Sequence, residues 1–433
     1  MPRGAPRRRR PAADVRRPGL SPGAPRAQGR NRKRMPQMYR AAWVLPIAGP
    51  PQRDGWVVTD RGMVIDVGAG EHPRPSAGLE FVDCGDAVIL PGLVNAHTHL
   101  ELSWMRNRVP PGGSMPEWAA RLMALRRTVS HEPPEPIADA VREVRAAGTS
   151  LVGDVTNTLA AYDLLAASEL GGAIFRELLG FNGLTPAEVV AEASAQLDAV
   201  TPLARLRRSV VPHAPYSVSP ALFRAIAAAA GARVMSVHLG ESEEEIEFLK
   251  DGTGAWRELL GQLGVWTDAW QPPGCGPVEY LDRVGLLSDR LLAVHGTRLQ
   301  DREIARLAHA GATIVTCPRS NRWTGAGTPP VARFYASGVR VAIGTDSLAS
   351  VEDLSVFAEL SALRRLAPEV PAARLLESAT IHGAAALGFE GEYGTIAPGQ
   401  RADLIAVRVP RGVADVEEYL LTGIEPDAIV WLR

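Results

Sequence analysis

The sequence predicts an α/β protein: a (β/α)₈ TIM-type barrel with a small β-sheet domain built from both chain ends. Two patterns predict this fold class. From residue 87 to 388, eight short apolar segments alternate with helical segments, which is the strand count of such a barrel. At 38–86 and 389–433, short β-rich runs alternate with turns, and we expect them to form the two parts of one β-sandwich domain.

The first 37 residues are rich in Arg, Pro, Gly and Ala and show no apolar periodicity, so we expect a disordered extension. A transit peptide, a nucleic-acid-binding arm, or translated upstream sequence before a start near Met35 or Met38 are alternatives. The arginines are not followed by the apolar run of a secretory signal. The extension therefore plays no part in the fold prediction.

The charge of the chain is unevenly distributed. Residues 1–40 carry 13 Arg and Lys against one acidic residue, which leaves a net charge of -13 on the remainder. The acidic charge of residues 41–433 argues against a nucleic-acid partner. No apolar run reaches the ~20 residues of a membrane helix. Three scattered cysteines without a CxxC pattern indicate reduced thiols and a cytoplasmic protein.

The predicted strands follow the chain in order. Those of the sheet domain lie at 39–47, 55–59, 63–67 and 80–82, and those of the barrel at 87–94, 150–155, 173–179, 209–212, 233–237, 291–294, 313–316 and 341–344. Residues 251–278, rich in Gly, Trp and Pro, read as an insertion after the fifth barrel strand.

A His-x-His pair follows the first predicted barrel strand. Side chains two residues apart in a strand point the same way, so His97 and His99 can bind one metal ion together. Imidazole is the commonest metal ligand near neutral pH. Two half-buried histidines at a strand end are an equally good interpretation of the pair alone.

The ends of the other barrel strands add to this pair, because the chemistry of such barrels lies at the carboxyl ends of the strands. His213, His238 and His295 follow the fourth, fifth and sixth strands, and Asp346 follows the eighth. Five of the nine histidines therefore occupy predicted active-site positions. The remaining four are predicted to be structural or surface residues: His72, His131, His309 and His382.

From about residue 38 to 433 the chain resembles the amidohydrolase superfamily, and within it the deaminase and chlorohydrolase branch. The resemblance is carried by His97-Thr98-His99, His238-x-x-Glu241, His295-Gly296, Thr316-Cys317-Pro318-Arg319-Ser320-Asn321, Gly344-Thr345-Asp346 and the turn at 399–404. It is strongest to aminodeoxyfutalosine deaminases, on the segments 95–103, 175–180 and 344–350. The methylthioadenosine/S-adenosylhomocysteine deaminases are close neighbours.

The resemblance implies a metal site with four ligands: His97, His99, His238 and Asp346. A set of this kind leaves a position for water and suits one divalent ion, zinc foremost, with iron or manganese as alternatives. Members of the superfamily with two metals use a carboxylated lysine after the fourth strand. The only lysines here are Lys33 and Lys250, so a single metal is expected.

Catalytic roles also follow from the resemblance. Glu241 would move a proton to the substrate ring, His295 would orient the attacking hydroxide, and Asp346 would accept a proton besides ligating. A helix-start carboxylate is the alternative interpretation of Glu241.

Substrate contacts are expected from Glu117, His213, Arg319 and Ser320. Glu117 reads equally well as an exposed helix-start glutamate, and Arg319 as a structural arginine.

The implied activity is hydrolytic removal of an amino group, as ammonia, from an aminopurine nucleoside by metal-bound hydroxide. Arg176 does not align with the arginines that hold an amino-acid tail in the methylthioadenosine/S-adenosylhomocysteine deaminases. Glu101 also departs from the sequence pattern of those enzymes. A chlorohydrolase or a guanine- or cytosine-type deaminase is the alternative enzyme, and a non-catalytic barrel scaffold is the alternative of another class. The expected partner is a small heterocyclic or nucleoside substrate, with no nucleic acid and no membrane, and a homodimer fits the resemblance.

Overall fold

The computed structural model describes residues 35–71, 78–183 and 185–432. Residues from 35 onward form one compact unit. Residues 1–34 of the predicted extension lie outside the described residues, and His72 lies outside them too. The first strand begins at Gln37, the last residue assigned to that extension.

The strands of the described ranges are, in chain order, β1 Gln37–Val44, β2 Gln52–Asp60, β3 Met63–Ala69, β4 Glu80–Asp83, β5 Ala87–Pro91, β6 Leu93–Thr98, β7 Thr149–Thr156, β8 Gly171–Leu178, β9 Leu206–Pro212, β10 Met235–Leu239, β11 Leu291–His295, β12 Thr313–Thr316, β13 Arg340–Ile343, β14 Leu404–Arg408 and β15 Ile429–Trp431.

The α-helices are α1 Met115–Arg126, α2 Pro134–Ala146, α3 Tyr162–Ala167, α4 Pro186–Ala199, α5 Pro220–Ala230, α6 Glu243–Asp251, α7 Gly254–Gln262, α8 Pro277–Arg283, α9 Asp301–His309, α10 Pro318–Thr324, α11 Val331–Ser337, α12 Val356–Leu366, α13 Ala372–Ser378, α14 Ile381–Ala386 and α15 Val416–Leu420. Short 3-10 helices lie at Leu100–Met105 and Pro426–Ala428. None of the helices in the described ranges has the length and apolar character needed to cross a bilayer.

One seven-stranded sheet joins the two ends of the described chain. Its order is β15-β14-β5-β1-β2-β3, with β4 beside β1. Strand β5 lies in its middle, parallel to β1 and antiparallel to β14. Every residue of β5 is buried, which explains why this strand is an uninterrupted apolar run and shows no alternation.

The segment predicted as a single strand at 87–94 forms two strands. β5 belongs to the seven-stranded sheet, and the parallel strands begin with β6 at Leu93. The chain turns between them at Gly92, where an added Cβ would lie 2.7 Å from Cβ of Ser150 and 2.8 Å from the ring of Trp431. The prediction of one strand was wrong because this crowding depends on residues far away in sequence.

The other eight strands form two parallel four-stranded sheets, β6-β7-β8-β9 and β10-β11-β12-β13. Hydrogen bonds connect the sheets on both sides: the amide of His238 donates to the carbonyl of His213 at 2.9 Å, and the amide of Asp346 donates to the carbonyl of His97 at 3.0 Å. The carboxyl ends of all eight strands therefore face the same side of the molecule.

Helix α5 shows how a helix between the strands is specified. Ser219 caps its N-terminus by accepting a hydrogen bond from the amide of Leu222, and Pro220 occupies the first position, where no amide hydrogen is needed. The helix ends at Gly231, whose φ of 58° favours glycine. Its buried face packs into the core of strands and helices.

The segment predicted as an insertion at 251–278 contains α7 and an aromatic cluster. Trp256 stacks on Tyr216 with ring centroids 3.7 Å apart, and Trp270 stacks on Phe248 at 4.6 Å. These rings share one apolar cluster with residues of α1. The insertion therefore packs on the side of the molecule where the parallel strands end.

Candidate active site

The predicted His-x-His pair lies beside the predicted aspartate. Nε2 of His97 is 3.8 Å, and Nε2 of His99 is 3.6 Å, from Oδ1 of Asp346. His97 is completely buried and Asp346 is 7% exposed. Three ligand atoms, one from each residue, lie within 4.8 Å of one another, close enough to bind one ion.

Hydrogen bonds between the ends of β6 and β13 hold this arrangement. The Asn95 side-chain amide donates to Oγ1 of Thr345 and accepts from the Thr345 backbone amide, at 2.8 and 3.1 Å. Thr98 donates to the carbonyl oxygen of Asp346 at 3.0 Å. Asp346 itself has a φ of 62°, a strained conformation that the surrounding bonds must maintain.

His238 and His295 complete the group. Nδ1 of His238 lies 2.9 Å from Nε2 of His295, and His97, His238 and His295 can also offer nitrogens to one ion. Asn321 hydrogen-bonds Nδ1 of His295 at 2.9 Å. His295, like Asp346, has a positive φ, of 74°.

The donor set fits a divalent cation. Among the described residues, both ring nitrogens of His97 are buried without a hydrogen-bond partner, whereas Nε2 of His238 lies 3.4 Å from Oε1 of Glu177. Such orphaned nitrogens are rare unless a ligand satisfies them. Burial is the main cause that lowers the pKa of His97 and of His99, and it favours the neutral imidazole that binds metals.

Glu241 lies next to this group. It is 1% exposed, and its Oε1 is 3.5 Å from Nε2 of His295, while Oε2 has no partner among the described residues. Burial raises the pKa of Glu241 to about 8, with the carboxylates of Asp346 and Glu245 also raising it and His238 opposing. A carboxyl group of this kind can carry a proton near neutral pH.

Glu245, for which no role was predicted, holds the Glu241 backbone. Its two carboxylate oxygens accept from the amides of Gly240 and Glu241, each at 2.9 Å. Gly240 has a φ of 58°, and Glu245 is completely buried. The turn that carries Glu241 is therefore fixed from the first turn of α6.

His213 lies at the pocket wall, with its Nδ1 2.6 Å from the hydroxyl of Ser217 and its ring centroid 4.8 Å from that of His238. Beside it lies Glu177, at the end of β8, whose Oε1 is 3.4 Å from Nε2 of His238. Burial works to raise the pKa of Glu177, but the nearby imidazoles of His213, His238 and His99 outweigh it and the pKa is lowered. No role was predicted for Glu177.

Two residues expected to touch substrate have other partners. Ser320 is completely buried and donates to Oδ2 of Asp346 at 2.6 Å, so it orients that carboxylate. Arg319 donates to Asp353 at 2.9 Å and is ion-paired with the buried Glu359 at 3.6 Å. The structural interpretation of Arg319 is therefore the one that its contacts favour.

Glu117 lies on the exposed side of α1. It accepts from the amide of Gly113 at 3.0 Å and is ion-paired with Arg121. Its neighbours Met115 and Trp118 face the pocket instead. Substrate binding by Glu117 stays a prediction, and its contacts match the alternative of an exposed helix-start glutamate.

Glu101 has a clear structural role. Its carboxylate accepts from the hydroxyls of Thr156 and Thr158, at 2.6 and 2.7 Å, and from the amide of Asn157 at 2.9 Å. Arg126 donates to the same carboxylate at 3.1 Å. Glu101 therefore ties the end of β7 to the segment that follows β6.

The cavity over these residues has a volume of about 140 Å³. Its polar wall contains His99, His213, His238, His295, Glu177, Glu241 and Asp346. The apolar part of the lining includes Leu102, Met115, Trp118, Ala119, Leu122 and Met123. A lining of this kind suits a flat, partly polar molecule.

Histidines and a carboxylate that can share one ion, with a second buried carboxylate beside them at the ends of parallel strands, are the arrangement of a metal-dependent hydrolase. The chain belongs to the amidohydrolase family, whose model matches residues 88–420. The family predicted from the sequence is thereby confirmed.

The relatives include named deaminases. The chain is 34% identical over 352 residues to the aminodeoxyfutalosine deaminase of Deinococcus radiodurans, covering 78% of this chain and 83% of the relative. It is 32% identical over 374 residues to the 5-methylthioadenosine/S-adenosylhomocysteine deaminase of Nitratidesulfovibrio vulgaris, covering 81% and 78%. Among solved structures, an adenosine deaminase from Xanthomonas campestris with bound zinc has a TM-score of 0.78 and 26% identity, covering 91% of this chain and 90% of that one.

Proposed function

We propose that this protein is a metal-dependent hydrolytic deaminase that releases ammonia from an aminopurine nucleoside. The observation that carries the proposal is the placement of Glu241 and His295 against the group formed by His97, His99 and Asp346, inside a pocket with an apolar wall. The deaminase names of the relatives support it.

We propose that His97, His99, His238 and Asp346 hold one divalent ion, zinc foremost. The orphaned nitrogens of His97 and the closeness of His238 to it support this ligand set, and so does the zinc named for the Xanthomonas structure. When bound, such an ion would supply Lewis acidity that lowers the pKa of a coordinated water to about 7. Ser320 holds Oδ2 of Asp346, which leaves Oδ1 as the oxygen facing the histidines.

Glu241, His295 and the apolar lining of the pocket would have separate roles in the reaction. Glu241, with an unpartnered Oε2 among the described residues, would hold a proton and pass it to the substrate ring. His295, fixed by Asn321, would orient the attacking group through Nε2. The apolar wall of α1 would stack on the heterocycle and exclude water.

The substrate proposed is an aminodeoxyfutalosine-like or methylthioadenosine/adenosine-like nucleoside. Arg176 does not reach into the pocket, because its guanidinium donates to Gln196 at 2.9 Å and to the backbone oxygen of Glu177 at 2.8 Å. An amino-acid tail would therefore find no arginine from this position of β8. Arg126 of α1 also lines the pocket, but its guanidinium donates to Glu101, Glu132 and Asn157. The contacts of both arginines therefore favour substrates without such a tail over S-adenosylhomocysteine.

The test uses the full chain. Metal content is quantified, and ammonia release is measured for aminodeoxyfutalosine, methylthioadenosine, S-adenosylhomocysteine, adenosine, guanine and cytosine. We expect about one metal per chain and turnover of one of the adenine nucleosides, lost in Glu241→Gln. Metal without ammonia from any of them, but with chloride release from a chlorotriazine, would replace the deaminase with a chlorohydrolase. A protein that binds no metal would refute the proposal.

We also propose that the two parallel sheets are halves of one closed (β/α)₈ barrel. The parallel bridge between Thr98 and Asp346 and the bond from His238 to His213 support closure on both sides. A cytoplasmic location and a homodimer stay predictions.

A further inference from the structure

A second cavity, of about 500 Å³, opens at the end of the parallel strands that lies opposite the candidate active site. Its volume falls within the range of roughly 300–1,000 Å³ that small-molecule sites occupy. The lining comes from β8 and β9, from the turns before β9 and β10, and from the residues that follow α14. It has no part in the proposed mechanism, so its composition calls for a separate explanation.

The cavity concentrates positive charge in an acidic part of the chain. Three arginines line it, Arg207, Arg208 and Arg233, and no aspartate or glutamate of the described ranges does. Residues 41–433 as a whole carry a net charge of -13. A cleft lined by one sign of charge raises the local concentration of ions of the opposite sign. The charge of this cavity therefore favours an anion.

Arg208 is explained without a ligand. Its guanidinium donates to the carbonyl oxygens of Leu197 and Val200, the second at 3.2 Å. These carbonyls lie at the C-terminal end of α4, where a cation satisfies backbone groups that have no partner within the helix. Two arginines of the cavity, Arg207 and Arg233, remain to be explained.

Arg207 is held in place with part of its hydrogen-bonding capacity left over. Its Nη2 donates to Oε1 of Glu392 at 2.5 Å, and its guanidinium carbon lies 3.9 Å from the ring centroid of Phe389. Gly388 leaves room for it, because an added Cβ there would lie 3.2 Å from Nη1. Glu392 is its hydrogen-bond partner among the described residues, so Nε and Nη1 stay available. Stacking and the ion pair thus preorganise this guanidinium.

Arg233 supplies the second cation. It is exposed in the turn before β10, and its Nη1 lies 3.4 Å from the carbonyl oxygen of Ala229. That distance exceeds the roughly 3.2 Å that is usual for such bonds, so this contact is weak. Two guanidinium groups from different strand connections therefore line one cavity with donors to spare.

The rest of the lining indicates what kind of anion fits. Guanidinium groups bind phosphate oxygens through paired N–H donors, and two of them match the double charge of a phosphate monoester. The remaining lining is largely apolar and includes Phe175, Leu203, Leu206, Val234 and Leu387. We propose that this cavity is a second binding site, which takes a small organic phosphate between Arg207 and Arg233. The site does not depend on the proposed function.

Phenyl phosphate is the probe, because it joins a phosphate dianion to a flat apolar body and lacks the heterocycle of the proposed substrates. Its binding to the full chain with its metal is measured by calorimetry. We expect saturable binding with a Kd below about 1 mM. Phenol, which lacks the charge, and inorganic phosphate, which lacks the apolar body, should both bind more weakly. The Tm should rise with the concentration of phenyl phosphate, because the ligand binds the folded state.

Two substitutions at the exposed rim test the assignment. Arg233→Gln should weaken binding of phenyl phosphate by at least roughly 10-fold, because a hydrogen bond to a charged group is lost. Ala232→Glu, which adds an acid at an exposed lining residue, should weaken it at least as much. Arg290→Gln is the matched control, because Arg290 is exposed in the turn before β11 and does not line the cavity. Arg207→Gln is a further test, and the rim substitutions stand in for it if loss of the Glu392 ion pair prevents folding.

No binding of phenyl phosphate, or binding that survives both rim substitutions, would overturn the inference. An equal loss in Arg290→Gln would reduce the effect to net charge and would overturn it as well. Benzoate that binds more tightly than phenyl phosphate would assign the cavity to carboxylates and refute the phosphate site. None of these outcomes bears on the deaminase proposal, because the substitutions leave the candidate active site intact.

Discussion

Replacing Gly344 with alanine should weaken metal binding without replacing any proposed ligand. Gly344 lies between β13 and Asp346, directly behind His97. An added Cβ would lie 2.7 Å from Cβ of His97, 2.8 Å from its carbonyl oxygen and 3.0 Å from Sγ of Cys317. The closest of these atoms belongs to the backbone-proximal part of a completely buried residue, so no flexible side-chain end can absorb the clash.

The size of the effect follows from these distances. Ordinary van der Waals contact begins at 3.4 Å, so the gap of 2.7 Å must widen by about 0.7 Å. Distances from ligands to a metal vary within about 0.2 Å, so a shift of this size at His97 exceeds the tolerance of a site. We expect metal affinity to fall by at least roughly 10- to 100-fold, the range for lost support of a ligand, and stability to fall by about 1–3 kcal/mol through overpacking.

Metal content after dialysis, competition with a chromophoric chelator and thermal unfolding would check these expectations. Gly261→Ala is the matched control, because Gly261 lies exposed in α7 and an added Cβ would meet nothing within 4 Å. This control should leave metal affinity unchanged and stabilise the helix by up to about 1 kcal/mol. Wild-type metal affinity in Gly344→Ala would refute the idea that crowding at this glycine fixes His97.

Three further substitutions test the other supports of the site. Glu241→Gln should lower the rate of ammonia release by roughly 10²- to 10⁴-fold with unchanged metal content, and a smaller loss would remove Glu241 from proton transfer. Glu245→Ala should lower kcat more than it changes KM and cost about 1–3 kcal/mol for each amide left unpaired, whereas the exposed Glu243→Ala should do neither. Ser320→Ala should weaken metal binding by roughly 10- to 100-fold, with activity restored by excess zinc; a variant that zinc does not rescue would point to direct substrate contact by Ser320 instead.

Local patterns made part of this molecule predictable. The His-x-His pair, the His238-x-x-Glu241 step and Asp346 each follow an apolar strand, and parallel strands bring their carboxyl ends together. The eight segments and their order were visible for the same reason. These features depend on residues that are close in sequence.

What was missed depends on contacts between distant residues. Glu177 alternates with Arg176 along β8, and only the register of the sheet decides which of the two faces the pocket. Ser320 and Asp346 are 26 residues apart, so their hydrogen bond is invisible in the sequence. The division of 87–94 at Gly92 likewise depends on Ser150 and Trp431.

The central place of β5 in the seven-stranded sheet has a consequence for folding while the chain is being synthesised. Only Gly92 separates β5 from β6, the strand that carries His97, yet its partner β14 is synthesised more than 300 residues later. Until residues 404–408 leave the ribosome, one edge of a completely apolar strand stays open to other chains. Exposure of that edge during synthesis, and the slow closure of so long a loop, would then limit the yield of folded protein.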